Sequence, residues 1–165
     1  MDFKWPEPPF EVVLVEPDIP PNTGNIGRLC AATQTPLHLV EPLGFRLTDA
    51  SVRRAGLDYW AHVPLTRHPS FAACQEALSD RRHWYFSTKG RRLYTDIRYQ
   101  PGDVLVFGSE TRGLPEDLLE AQAEQVLTLP MQCTAVRSLN LANVVSVVLY
   151  EALRQYTKRR RKQEG

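Results

Sequence analysis

The chain of 165 residues carries 20 Lys and Arg against 19 Asp and Glu, a formal net charge of +1, so its overall balance does not by itself announce a nucleic-acid binder. This length suits a single domain that buries roughly two-thirds of the surface its unfolded chain exposes. Cys30, Cys74 and Cys133 form no C-x-x-C pair, the histidines are scattered, the acidic, proline-rich start MDFKWPEPPF is unlike a signal peptide and VVSVVLY is too short to span a bilayer, which predicts a reduced, cytoplasmic, metal-free protein.

Short β-rich runs alternate with helical patterns along the chain. FEVVLVE, 10–16, reads as a strand, and GNIGRLCAAT, 24–33, as a helix beginning near Gly24 after a loop through EPDIPPN. PLHLVEP, 36–42, is a second strand, followed by a helical pattern in TDASVRRAGL, 48–57. HWYFST, 83–88, and DVLVFG, 103–108, are strands; PEDLLEAQ, 115–122, is a helix with Pro115, Glu116 and Asp117 where a first turn favours them. QVLTLP, 125–130, is the last strand before the helix within LNLANVVSVVLYEALRQYTKRR, 139–160. There Leu141, Val144, Val145, Val148, Leu149 and Ala152 share a face that packs either on the sheet or on another subunit. This alternation predicts an α/β fold, a mostly parallel sheet with helices on both faces. The whole chain, 1–165, reads as one domain, with 1–9 preceding the first strand and a basic tail, 157–165, expected to be mobile.

Charge is unevenly placed. Residues 81–98 are basic (Arg81, Arg82, Lys89, Arg91, Arg92, Arg98) and residues 103–124 acidic, which predicts separate basic and acidic faces unless the blocks are ordinary solvated surfaces.

In a parallel sheet, ligands bind beyond the carboxyl ends of the strands, and three segments there carry unusual chemistry. The first, EPDIPPNTGNIGRLC, lacks the third glycine of a dinucleotide fingerprint and the lysine of a P-loop, leaving Asn22 and Arg28 as its informative residues and its glycines as turn formers. FGSETRGLP, 107–115, sets Glu110 and Arg112 between Gly108 and Gly113, glycines that let backbone approach a flat ligand. LPMQCTAVRSLNLANVVS, 129–146, carries Arg137, Ser138 and Asn140 before an apolar helix. Taken singly, each loop is equally a helix cap with solvated charges.

Together, and in this order, Asn22 to Arg28, FGSETRGLP, and LPM followed by RSLNLAN resemble the three motifs of the SPOUT-class, SpoU-type RNA 2′-O-ribose methyltransferases. The match spans nearly the whole chain. EPDIPPNTGNIGRLC, RRAGLDYW and SVVLYEALRQ are similar to the small subgroup that methylates the wobble nucleotide, cytidine or uridine, of certain tRNAs, leucine tRNAs among them. That resemblance implies a C-terminal deep trefoil knot and S-adenosylmethionine as methyl donor, leaving as S-adenosylhomocysteine. Phe86, Thr88, Gly90, Gly108, Glu110, Leu129, Met131 and Ser138 would line the cofactor pocket. It makes Arg28 the main catalytic candidate, with Asn22, Glu110, Ser138 and Asn140 positioning substrate and cofactor. Because a guanidinium is effectively never deprotonated, Arg28 is expected to act as an electrostatic clamp instead of a base. The partners implied are the tRNA anticodon loop and a second copy of the chain. RNA would be held by Arg53, Arg54, Lys89, Arg91, Arg92 and the tail, with Tyr59 and Trp60 offering stacking faces. Competing readings are methylation at another tRNA or ribosomal RNA position, a non-catalytic RNA-binding protein on this fold, and a nucleotide-dependent enzyme using the first glycine loop.

Overall fold

The computed structural model describes residues 3–48 and 59–163. In chain order the elements are β1 (Glu11–Val15), α1 (Pro20–Thr33), β2 (Leu37–Val40), a 3-10 turn (Trp60–His62), β3 (Leu65–His68), α2 (Phe71–Ala77), β4 (His83–Phe86), β5 (Arg92–Leu93), β6 (Val104–Phe107), α3 (Glu116–Ala121), a second 3-10 turn (Ala123–Gln125), β7 (Val126–Thr128) and α4 (Leu141–Gln163). The helical pattern expected at 48–57, with Arg53 and Arg54, lies outside the described residues.

The seven strands form one sheet in the order β3-β2-β1-β6-β4-β7-β5, and every pairing is parallel. Alternation along β1 distributes its side chains to two cores. Val12 and Leu14 join Ile26 and Cys30 of α1 and Val145, Val148 and Leu149 of α4. Val13 and Val15 face the other way, with Cys74 of α2 and Leu114, Leu118 and Leu119 at and within α3. Helices therefore cover both faces, as the alternation predicts. Central strands are buried on both sides, which is why β1 and β6 read as unbroken apolar runs.

Val145, Val148, Leu149 and Ala152 are fully buried within the subunit, so the apolar face offered by the sequence packs on α1 and the sheet. Burying a side chain such as Leu149 contributes about 1.5–3 kcal/mol. The opposite side of α4 leaves Val147 and Tyr150 exposed at 43% and 55%, a surface that helical periodicity alone did not single out. The helix continues through the basic run to Gln163.

Candidate active site

The first motif is built differently from the loop that its glycines and prolines suggest. α1 starts at Pro20, with prolines in its first turn, so Asn22, Gly24 and Gly27 are all helical and neither glycine has a positive φ. Gly27 is required by packing: a Cβ there would lie 2.4 Å from Cζ3 of Trp60. Trp60 is thereby committed to the body of the protein.

Pro20 and Pro21 carry no N–H and the Asn22 N–H bonds to the Ile19 carbonyl, so the backbone donors that need an acceptor at this end are those of Asp18 and Ile19, just before the helix. Glu110, in the loop after β6, supplies the acceptor from 91 positions away. Its carboxylate accepts the Asp18 N–H at 2.7 Å, the Ile19 N–H at 3.2 Å and the Asn22 Nδ2 group at 3.2 Å. A negative charge at a helix N-terminus is favourable.

Asn22 extends the connection. Its Oδ1 accepts from Asn140 Nδ2 at 3.0 Å, and Asn140 Oδ1 in turn accepts the Asn143 N–H at 3.3 Å, capping α4. One chain of hydrogen bonds, Glu110 to Asn22 to Asn140, therefore joins all three motif segments. A second tie runs the opposite way: Thr111 Oγ1 donates to the Asp18 carboxylate, and the Arg112 Nη2 atom lies 3.7 Å from Asp18 Oδ1. The Thr111 hydroxyl holds the Asp18 carboxyl below the usual carboxylate range. Asp18 and Thr111 escape sequence reasoning, although an acid directly before a helix start and a hydroxyl between Glu110 and Arg112 were signals for them.

Arg28 stands apart from this cluster. It shares the exposed side of α1 with Asn25, about a third of a circumference from Asn22, and its guanidinium lies over the Tyr59 ring, 5.0 Å from the centroid. Ser138 is exposed in the segment leading to α4, and no hydrogen bond joins it to Asn22 or Asn140 among the described contacts.

The residues expected around a cofactor gather at the carboxyl ends of β4, β6 and β7. Phe86 and Phe107 are adjacent in register and stack at 4.8 Å with planes 14° apart. Leu129 and Met131 are half-buried beyond β7, and Thr88 is exposed beyond β4. Gly90 and Gly108 permit close approach, but to this chain's own backbone instead of a ligand: Cβ atoms there would meet the Leu127 carbonyl carbon at 2.7 Å and the Gly113 carbonyl carbon at 2.1 Å. Gly113 has φ +66° and open space on its Cβ side. Half-buried Leu129 and Met131, beside a segment whose backbone is largely unpaired by secondary structure, suit an adenine ring read by main-chain groups. The residues present fit S-adenosylmethionine.

Charged residues do not separate into two faces. Lys89 Nζ pairs with Glu116, Arg92 donates to the Glu124 carbonyl at 2.9 Å, and Arg82 grips Asp103 through Nε and Nη2 at 2.9 and 2.6 Å. Basic and acidic blocks interlock; among the described RNA candidates of the 81–98 block, Lys89 and Arg91 are exposed and Arg92 is half-buried. Burial pushes the Cys30 and Cys74 thiols up to about 12 and about 11, so both stay protonated. Among the described residues, no group of His, Cys, Asp and Glu is arranged to hold a metal ion and no helix is long and apolar enough to cross a membrane.

An all-parallel sheet whose strand sequence reverses around β1, with polar loops meeting at its carboxyl edge, defines an α/β protein with a ligand site at a topological switch point. Residues 9–150 match the SpoU rRNA Methylase family, and the chain belongs to that family. The Escherichia coli K12 protein named tRNA (cytidine(34)-2′-O)-methyltransferase is 52% identical over 88% of this chain and 93% of its own length. A solved structure described as giving insight into 2′-OH methylation of C/U34 on tRNA superposes with a TM-score of 0.85 at 49% identity, covering 90% of this chain and 97% of that one. An AdoMet-bound rRNA methyltransferase from Sinorhizobium meliloti superposes at 0.77 with 26% identity, over 88% of this chain and 56% of that one.

Proposed function

We propose that this protein transfers the methyl group of S-adenosylmethionine to the ribose 2′-hydroxyl of the wobble nucleotide, C34 or U34, of tRNA, with leucine tRNAs as substrates, acting as a single-domain homodimer in the cytoplasm. The observation that carries this reading is the Glu110–Asn22–Asn140 hydrogen-bond chain, which brings the three motif segments to one place. Relatives about half identical over most of the chain bear the matching name.

S-adenosylmethionine, when bound, supplies a sulfonium methyl that accepts the 2′-oxygen and releases the thioether. Phe86, Thr88, Leu129, Met131 and Ser138 would hold it, with Gly90 and Gly108 letting the loops that carry them pack closely. Glu110, Asn22 and Asn140 fix the relative position of the loops on either side of the reacting atoms, and positioning is the larger part of catalysis for a displacement of this kind. Arg28, exposed and steadied on Tyr59, grips the phosphate next to the reacting ribose and stabilises charge growing on the 2′-oxygen. The hydroxyl proton leaves to water or to a phosphate oxygen.

The same reading includes a trefoil knot. β7 lies between β4 and β5, so the Ser87–Gly90 connection passes over it, and Gly90 meets the Leu127–Thr128 peptide closely enough to exclude a Cβ. Dimerisation is supported by Ile19, Val136, Leu139, Val147 and Tyr150, each at least 41% exposed.

Thermal shift is the direct check. At a hundredfold excess over Kd, S-adenosylmethionine stabilises the fold by about 2.7 kcal/mol. ATP and NAD are expected to give no shift, and an equal shift from either would favour the nucleotide-dependent reading.

A further inference from the structure

A second concentration of positive charge stands at the opposite end of the molecule. The C-terminal half of α4 and the segment between β5 and β6 flank an open cavity of about 210 Å³ lined by Arg98, Arg154, Gln155, Lys158 and Arg159. Arg82 and Asp103, which immediately precede β4 and β6, lie beneath it, so the cavity is at the amino ends of the strands, away from the motif loops. From Leu141 to Arg154 the helix rises about 20 Å. This site is rigidly built: Gln155 accepts the Tyr99 N–H at 3.1 Å and donates to the Ile97 carbonyl at 3.2 Å, and Arg159 donates to the Tyr99 carbonyl. Glu151 neutralises Arg154 through two bonds at 2.7 and 2.9 Å, and Asp103 neutralises Arg82. No carboxylate lies within salt-bridge distance of Arg98 or Lys158 among the described residues.

We infer that this cavity is a second RNA site, where Arg98, Lys158 and Arg159 take backbone phosphates of the tRNA stem, several nucleotides from the methylated ribose. The inference rests on the proposed tRNA substrate and extends it. Lys89 is paired with Glu116 and Arg92 is held by the Glu124 main-chain carbonyl, whereas Arg98, Lys158 and Arg159 are gathered here. Burial and then the neighbouring Arg98 push the Arg159 guanidinium below its usual range, a crowding of like charges that a bound phosphate relieves. Forked guanidinium donors match phosphate oxygens in geometry as well as charge. The helix that carries Lys158 and Arg159 runs on to Gln163.

The test is Arg98→Glu with Lys158→Glu in the full chain, using bulk tRNA that lacks the wobble methyl group and, separately, an anticodon stem-loop hairpin. The site predicts at least about tenfold weaker binding of tRNA and a salt slope smaller by about two, since two phosphate contacts are lost. KM for tRNA rises more than kcat falls, the hairpin, which retains the stem next to the wobble nucleotide, loses affinity alongside full-length tRNA, and S-adenosylmethionine binding is unchanged. If cofactor binding shows that the variant is misfolded, Arg98→Gln with Lys158→Gln must still lower the slope. Unchanged tRNA affinity and slope beside an active wild type would overturn the second site alone. A wild type that methylates no RNA would overturn the substrate reading and the site with it. Loss of binding to vesicles rich in anionic lipid, with tRNA binding intact, would assign the cavity to a membrane surface and also overturn the inference.

Discussion

Glu110 does three things with one carboxylate: it caps α1, fixes Asn22 and closes the loop after β6 onto the loop after β1. Glu110→Gln preserves its size but replaces one acceptor oxygen with a donor and removes the charge at the helix N-terminus. Charge-assisted hydrogen bonds contribute about 1.5–3 kcal/mol, so a loss of stability of about that size is expected in urea titration. Because misplacing the reacting groups by about 1 Å costs on the order of a hundredfold, kcat at saturating tRNA and cofactor should fall by about that factor. Turnover within twofold of wild type would show that the three-loop connection is not needed for the chemistry. This connection was invisible in the sequence: Asn22 and Asn140 are 118 positions apart, and PPNTGN carries the turn chemistry of a loop. The residue types were legible. Their mutual contacts were not.

At the scale of elements, strands β1, β2, β4 and β6 were readable as apolar runs because they are buried on both faces, and the helix α4 because burial sets its helical period. β3, α2 and β5 were missed. β3, LTRH, is an edge strand whose exposed Thr66 and Arg67 break the apolar run, and α2 with seven residues and β5 with two are too short to establish a period. β3 nevertheless completes a buried relay across three strands. Glu11 Oε2 lies 2.6 Å from His38 Nε2, and His38 Nδ1 lies 2.9 Å from His68 Nε2. Arg81 Nη1 reaches Glu11 Oε1 at 3.4 Å. Burial, and then the neighbouring His38, holds His68 below the ordinary histidine value of 6.5, and burial does the same to His83. With folded-state values below 6.5, the unfolded chain takes up protons first as pH falls. Stability contributed by the neutral imidazoles is thus full above 6.5 and declines beneath it. Urea midpoints should drop between about pH 7 and pH 5, and His68→Gln should flatten that drop. An identical pH profile in the variant would contradict this.

At the scale of the whole molecule, a chain of nearly zero net charge places its loops for chemistry at one end of the sheet and unneutralised cations at the other. Overall balance concealed this, because Arg82 and Lys89 pair with Asp103 and Glu116, acids that follow them in sequence. The segregated blocks in the sequence therefore mark mutual contacts, and their pairing explains how a protein with pI near 7.8 keeps a surface for RNA. Methyl transfer to one ribose is directly measurable. Purified protein incubated with methyl-labelled S-adenosylmethionine and tRNA lacking the wobble modification, followed by nuclease mapping and nucleoside mass spectrometry, is predicted to place the label on the 2′-oxygen of nucleotide 34. Label on a base, at another ribose, or absent from RNA altogether would contradict it.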